Sequence, residues 1–243
     1  MSRDLNDAKS YSDLKTYLDI YGQIEGLSCW HNYGPADYSL YISQSPKIMV
    51  INSESVGYDD SKSTPADEYM KWIKDGWKTP HFTALFVTMI RKYCKEFRDT
   101  HVLPPYSKPT FSSQYKKCEE LLESMKGTIY MNARITSNGT GSFREETQAV
   151  LQDSTRFADY RKKYMEILDP EIVICAGSSA HDAMFTKNSA FGEDVRPSRH
   201  SVSKIQNRIV ISLNHFSRPQ GFRGYQGLHD LATQCCYIYF NKL

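Results

Sequence analysis

Residues 171–185 read EIVICAGSSAHDAMF. Ile172 to Ala176 form an unbroken apolar run, with no polar residue at alternate positions. Such a run suits a strand covered on both faces, as in a parallel sheet, rather than the alternating pattern of a half-exposed hairpin. Gly177, Ser178 and Ser179 then open a helical segment at once, so the strand feeds a crossover. Three further runs have the same character: KIMVINS (47–53), GTIYMNA (127–133) and NRIVISLN (207–214).

Helical patterns fill the intervals between these runs. SYSDLKTYLDIYGQI precedes the first strand, and TPADEYMKWIKDG and TPHFTALFVTMIRKYCKEF follow it, the latter with Thr79 as expected N-cap and Pro80 at the first helical position. SSQYKKCEELLESM leads into the second strand, REETQAVLQDSTRFADYRKKYMEIL into the third, and LHDLATQCCYIYF closes the chain. Alternating strands and helices predict a three-layer α/β/α sandwich around a central four-stranded, mostly parallel sheet. The 243 residues are expected to form one domain, with 1–44 a helical N-terminal extension and 45–243 the core. The Pro-rich stretch HVLPPYSKPTF (101–111) is expected to be an ordered excursion rather than a boundary.

Composition narrows the class. Hydrophobic residues make up 40% and charged residues 24%, with a formal net charge of +2, so no global basic field announces nucleic acid. Basic residues do collect locally, at Arg196, Arg199, Arg208, Arg218 and Arg223. None of the six cysteines falls in a C-x-x-C pair, which argues against a zinc ribbon or an iron–sulfur cluster. Cys175 and the Cys235–Cys236 pair lie in apolar patterns, so the thiols are expected reduced and buried in a cytoplasmic, intracellular protein. The first residues lack the apolar core of a secretory signal, and no run approaches the ~20 apolar residues of a membrane span.

Ligands of open parallel sheets bind beyond the carboxyl ends of the strands. The residues following each run are therefore the informative ones. They are Ser53, Glu54, Gly57, Asp59 and Asp60 after the first; Asn132 and Arg134 at the second; Gly177 and Ser178 after the third; and Asn214, His215, Ser217 and Arg218 after the fourth. Carboxylates, an amide, a helix start and a histidine with neighbouring arginines would then share one rim.

These segments resemble the uracil-DNA glycosylase superfamily. VINSESVGYDD looks like its first motif, IYMNARITSNGTGS like its pocket segment with Asn132 in the place of the base-reading Asn, and IVISLNHFSRPQGFRGYQG like its last motif. EIVICAGSSAHDAMF is similar to the strand–Gly–helix unit before that motif, and Phe82 in TPHFTALF stands where the family has an aromatic that stacks on the base. The resemblance covers roughly residues 45 to 240. Val56 and Phe216 depart from it, standing where the family usually has Pro.

The resemblance implies hydrolysis of the N-glycosidic bond of uracil or a related deaminated base extruded from DNA. Phe82 would stack on the base, Asn132 would read its edge, and Ser53 and Gly57 would line the pocket. His215 would stabilise charge on the departing base, with Glu54, or Asp59 in its stead, acting on water. Ser178, Ser217, Arg218, Phe222 and Arg223 would engage the DNA strand. No cofactor or metal is implied, and the expected partner is uracil- or lesion-containing DNA rather than a membrane. Two other expectations stand beside this one: a glycosylase-like module that grips DNA or a nucleobase without chemistry, and an α/β hydrolase acting on a small molecule through Asn214 and His215.

Overall fold

The structure is a computed structural model that describes residues 4–25, 33–52, 65–105, 119–133, 135, 152–153, 155–187, 189–214, 216 and 224–241. The sheet order is β2-β1-β3-β5-β4, with β1 (Ile48–Asn52), β2 (Ile129–Asn132), β3 (Ile172–Ala176), β4 (Ser201–Ile205) and β5 (Arg208–Leu213). The first four in that order run parallel, and every one of the four apolar runs is a strand. Their residues are almost all buried, as continuous apolar runs require.

The sheet has five strands rather than four. β4 pairs antiparallel with β5 through a two-residue turn at Gln206–Asn207, in which Gln206 takes a φ of 54°. Its sequence, SVSKI, carries one charged and two hydroxyl side chains, because this edge strand, unlike β2 at the other edge, buries only part of its surface. That composition hides it from a search for apolar runs.

Eight α-helices are described: α1 (Tyr11–Ile24), α2 (Tyr38–Ser43), α3 (Pro65–Lys74), α4 (Lys78–Thr100), α5 (Glu119–Lys126), α6 (Ala158–Leu168), α7 (Ser178–Phe185) and α8 (Gly224–Phe240). Ser10 caps α1 in a reciprocal box with Asp13, which satisfies two donors at the helix start. α4 begins at Lys78 with Trp77 as N-cap, so Thr79 is not the cap and Pro80 lies within the first turn. Pro is tolerated there because the first-turn N–H groups have no intrahelical acceptor. Thr79 instead offers its carbonyl to the Thr83 hydroxyl at 2.9 Å.

Side chains alternate across the sheet. Ile48, Val50, Tyr130, Ile174 and Ile211 join one core with α3, α4, α5 and α8. Met49, Ile51, Met131, Cys175 and Val210 join a second with α1, α6 and α7. Helices therefore cover both faces, and the chain leaves β1 toward β2 but returns to β3 on its other side. β1 and β3 are adjacent strands whose onward connections take opposite faces, which makes their carboxyl ends the topological switch point of a doubly wound fold.

Cys94, Cys175, Cys235 and Cys236 are buried free thiols. Burial pushes the Cys175 thiol up to about 12, so it is protonated and inert. Among the described residues no helix is long and apolar enough to cross a membrane.

Candidate functional site

The register of β1 and β2 sets Asn52 directly beside Asn132, each the last residue of its strand. Ile51 and Met131 face the second core, so pleating turns both Asn side chains toward α3 and α4. Between them stands Tyr130. Asn52 Nδ2 donates to Tyr130 Oη at 3.2 Å, and Tyr130 Oη donates to Asn132 Oδ1 at 3.2 Å. Both amides are almost wholly buried, Asn52 at 1% and Asn132 at 4% exposure.

Tyr69 of α3 lies flat on Tyr130, ring centroids 3.6 Å apart and planes inclined by 29°. Its hydroxyl faces Thr83, Asn52 and Tyr130, although none of them is placed for a well-aligned hydrogen bond. Burial is the main force that raises both phenols well above the ordinary tyrosine value, so both stay neutral and keep their protons to donate. Asn52 Oδ1 is buried with no hydrogen-bond partner among the described residues. A buried acceptor in that state calls for a ligand N–H or an ordered water.

α4 runs antiparallel to β1: Arg98 near its end reaches the Ser45 carbonyl below the strand, while Thr83 near its start stands by the Asn pair. The first turn of α4 thus overlooks the carboxyl rim. Phe82 stacks on Tyr225 of α8, centroids 5.7 Å apart, and is partly buried against the core. Trp77 is 59% exposed and stacks on Trp72 at 5.6 Å, which places an aromatic pair at the mouth of the same rim.

The exit of β2 is held by a buried ion pair. Arg161 Nη2 bonds Asp153 Oδ1 and the Ala133 carbonyl, both at 2.6 Å. The Asp153 carboxylate in turn accepts the Ile135 amide at 3.0 and 3.1 Å. Ala133 also donates to the Asn52 carbonyl at 2.7 Å, so the backbone on both sides of the Asn pair is fixed.

At the end of β3, Gly177 has φ 101° and ψ 167°, a conformation that favours glycine, and its amide donates to the Leu213 carbonyl at 2.8 Å. Ser178 is the first residue of α7, as expected for a strand–Gly–helix unit, and Gly177 supplies no side-chain cap. Phe216, adjacent to the expected site residue His215, is fully buried and packs against Phe86 of α4 at 6.2 Å. A large ring there anchors the segment after β5 to the core.

Of the residues singled out from sequence at the rim, Phe82, Asn132, Gly177, Ser178 and Asn214 are described, all near the carboxyl side of the sheet or the first turns of the flanking helices. Ser53, Glu54, Gly57, Asp59, His215, Ser217, Arg218, Phe222 and Arg223 lie outside the described residues. The sequence reading missed Asn52, Tyr130, Tyr69, Thr83 and the Trp72–Trp77 pair. A signal for Asn52 was present: the first two apolar runs end alike, in VIN and YMN, as paired strands with matched ends would.

A cleft of about 870 Å³ lies elsewhere, outside α1 and α6, walled by Tyr17, Tyr21, Phe157 and Tyr160. Its Arg156 is already engaged, bonded to the Tyr21 hydroxyl and Glu25 at 3.1 Å each. Asp4, Asp7, Asp159 and Glu166 outnumber Lys162 and Lys163, so the cleft is mildly acidic and unsuited to a phosphate backbone. Among the described residues no cluster of His, Cys, Asp or Glu is placed to hold a metal. Set against family models, curated proteins and solved structures, the chain has no match.

Proposed function

We propose that the protein is a DNA glycosylase that hydrolyses the N-glycosidic bond of uracil or a related deaminated base extruded from DNA. The observation that carries this reading is the pair of buried, oriented amides, Asn52 and Asn132, at the carboxyl rim beside the switch point. A side-chain amide in a dry, aromatic-walled setting discriminates the edge of a planar heterocycle, because a mismatched base leaves a buried polar group unpaired.

Extrusion exposes a base that must be held by stacking and by hydrogen bonds to its edge. Asn132 reads that edge, and Phe82 stacks on its face from the first turns of α4. Trp77 holds an unstacked neighbouring base at the mouth. His215 stabilises the charge that develops on the departing base, and Glu54 or Asp59 positions the attacking water. Ser178, Ser217, Arg218, Phe222 and Arg223 hold the strand and fill the vacated stack.

The test is a panel of oligonucleotides carrying uracil, hypoxanthine or a thymine mispair, single- and double-stranded, incubated with excess protein. The expected result is abasic sites from at least one lesion. Absence of release across the panel overturns the reading. If salt-dependent DNA binding persists without release, the protein is a binding module on the same rim.

A further inference from the structure

We propose that Asn52 and Tyr130 are positioning residues that fix the direction of the Asn132 amide, and with it the kind of base the rim accepts. The proposal rests on the reading of Asn132 as the base-reading residue and adds what sets its polarity.

Asn52 Nδ2 has only protons to give, and it gives one to Tyr130 Oη at 3.2 Å. A phenol carries a single proton, so with the Asn52 amide donating to its oxygen Tyr130 directs that proton to Asn132 Oδ1, which it meets at 3.2 Å. Asn132 Oδ1 is thereby held inward, and Nδ2 is the group left to meet a ligand. An outward N–H₂ pairs with a carbonyl oxygen and meets an exocyclic amino group donor to donor. The rim therefore selects carbonyl-bearing bases such as uracil and rejects amino-bearing ones such as cytosine. The selection originates two residues away from the ligand.

Reversing the first link should reverse the chain. In Asn52→Asp an ionised carboxylate accepts the Tyr130 proton, Tyr130 Oη then accepts from Asn132 Nδ2, and Asn132 presents Oδ1 outward. Two readouts separate the relay from the enzymatic reading. The first is NMR of the Asn132 side-chain amide in the full-length, ligand-free protein, recorded from about pH 6 to about pH 9 because a buried carboxyl ionises late. The amide protons are expected to shift and to gain contacts with the Tyr130 ring as the new carboxyl ionises. The second is the ratio of uracil to cytosine release from matched oligonucleotides, expected to fall by about tenfold or more. Tyr130→Phe, which keeps the stack on Tyr69 but breaks the chain, should release the amide from its single orientation and lower the same ratio without inverting it.

An Asn132 amide that keeps its resonances in both variants overturns the relay, whatever the protein acts on. An amide that turns while neither base is released upholds the relay and overturns the glycosylase reading. Should Asn52→Asp fail to fold, Tyr130→Phe decides the outcome by the same two measurements.

Discussion

Tyr130 serves packing and polarity together: its ring lies on Tyr69 while its hydroxyl bridges two amides. Deleting that hydroxyl leaves a buried donor and a buried acceptor unmatched, a loss of about 1–3 kcal/mol. Tyr130→Phe should accordingly lower the unfolding free energy by that amount, seen in urea as a lower midpoint with the denaturant slope unchanged. A second buried pair bears on pH. His181 Nε2 and Ser212 Oγ are 2.6 Å apart, and burial first, then Arg196, lowers the imidazole to about 4. The folded value lies below the unfolded one, so the neutral ring's contribution is intact above the unfolded pKa and is lost as pH falls toward 4. The stability gap between wild type and His181→Gln should narrow by up to roughly 2–3 kcal/mol between about pH 7 and about pH 4.5 in urea titrations. Sequence alone gave access to Asn132 because it ends an apolar run at a polar residue. It could not show Tyr130 as a bridge, since a Tyr within such a run has the same composition whether its hydroxyl reaches solvent or a neighbour.

At the scale of elements, the four apolar runs announced the four parallel strands because burial on both faces leaves little room for polar residues. β4 escaped notice for the converse reason: unlike β2 at the other edge, it leaves Ser201 and Ser203 only partly covered and Lys204 exposed, and so is free to carry polar side chains. α4 starts two residues earlier than a Thr79 cap implies, because a Pro-containing first turn permits more than one cap and Trp77 supplies none through its side chain. That start is nonetheless where the rim meets solvent. If Trp77 holds an unstacked base, Trp77→Ala should weaken DNA binding by about 1–3 kcal/mol while leaving base preference unchanged, as fluorescence anisotropy at fixed salt would report. The exit of β2 depends on the Arg161–Asp153 pair, both side chains 2% exposed. Removing one partner leaves the other charge buried and unpaired, so Asp153→Ala should cost about 3–5 kcal/mol in chemical unfolding. The Ala133 and Ile135 backbone contacts next to Asn132 should loosen with it, visible as faster amide exchange at Ile135.

Over the whole molecule, helices on both faces bring the ends of β1 and β3 to a switch point, and the fold needs no further device to create a ligand edge there. The Asn pair occupies that edge because matched strand ends put residues 52 and 132 in register. The central claim is that this edge reads a base for an N-glycosidic cleavage. Its most direct test is the single-turnover rate of uracil release by wild type and by Asn132→Ala, with oligonucleotide affinity measured alongside. The account predicts measurable release by wild type and a loss of about a hundredfold or more in the variant, at nearly unchanged affinity. Equal release by the two proteins, or none by wild type at enzyme excess, would contradict it.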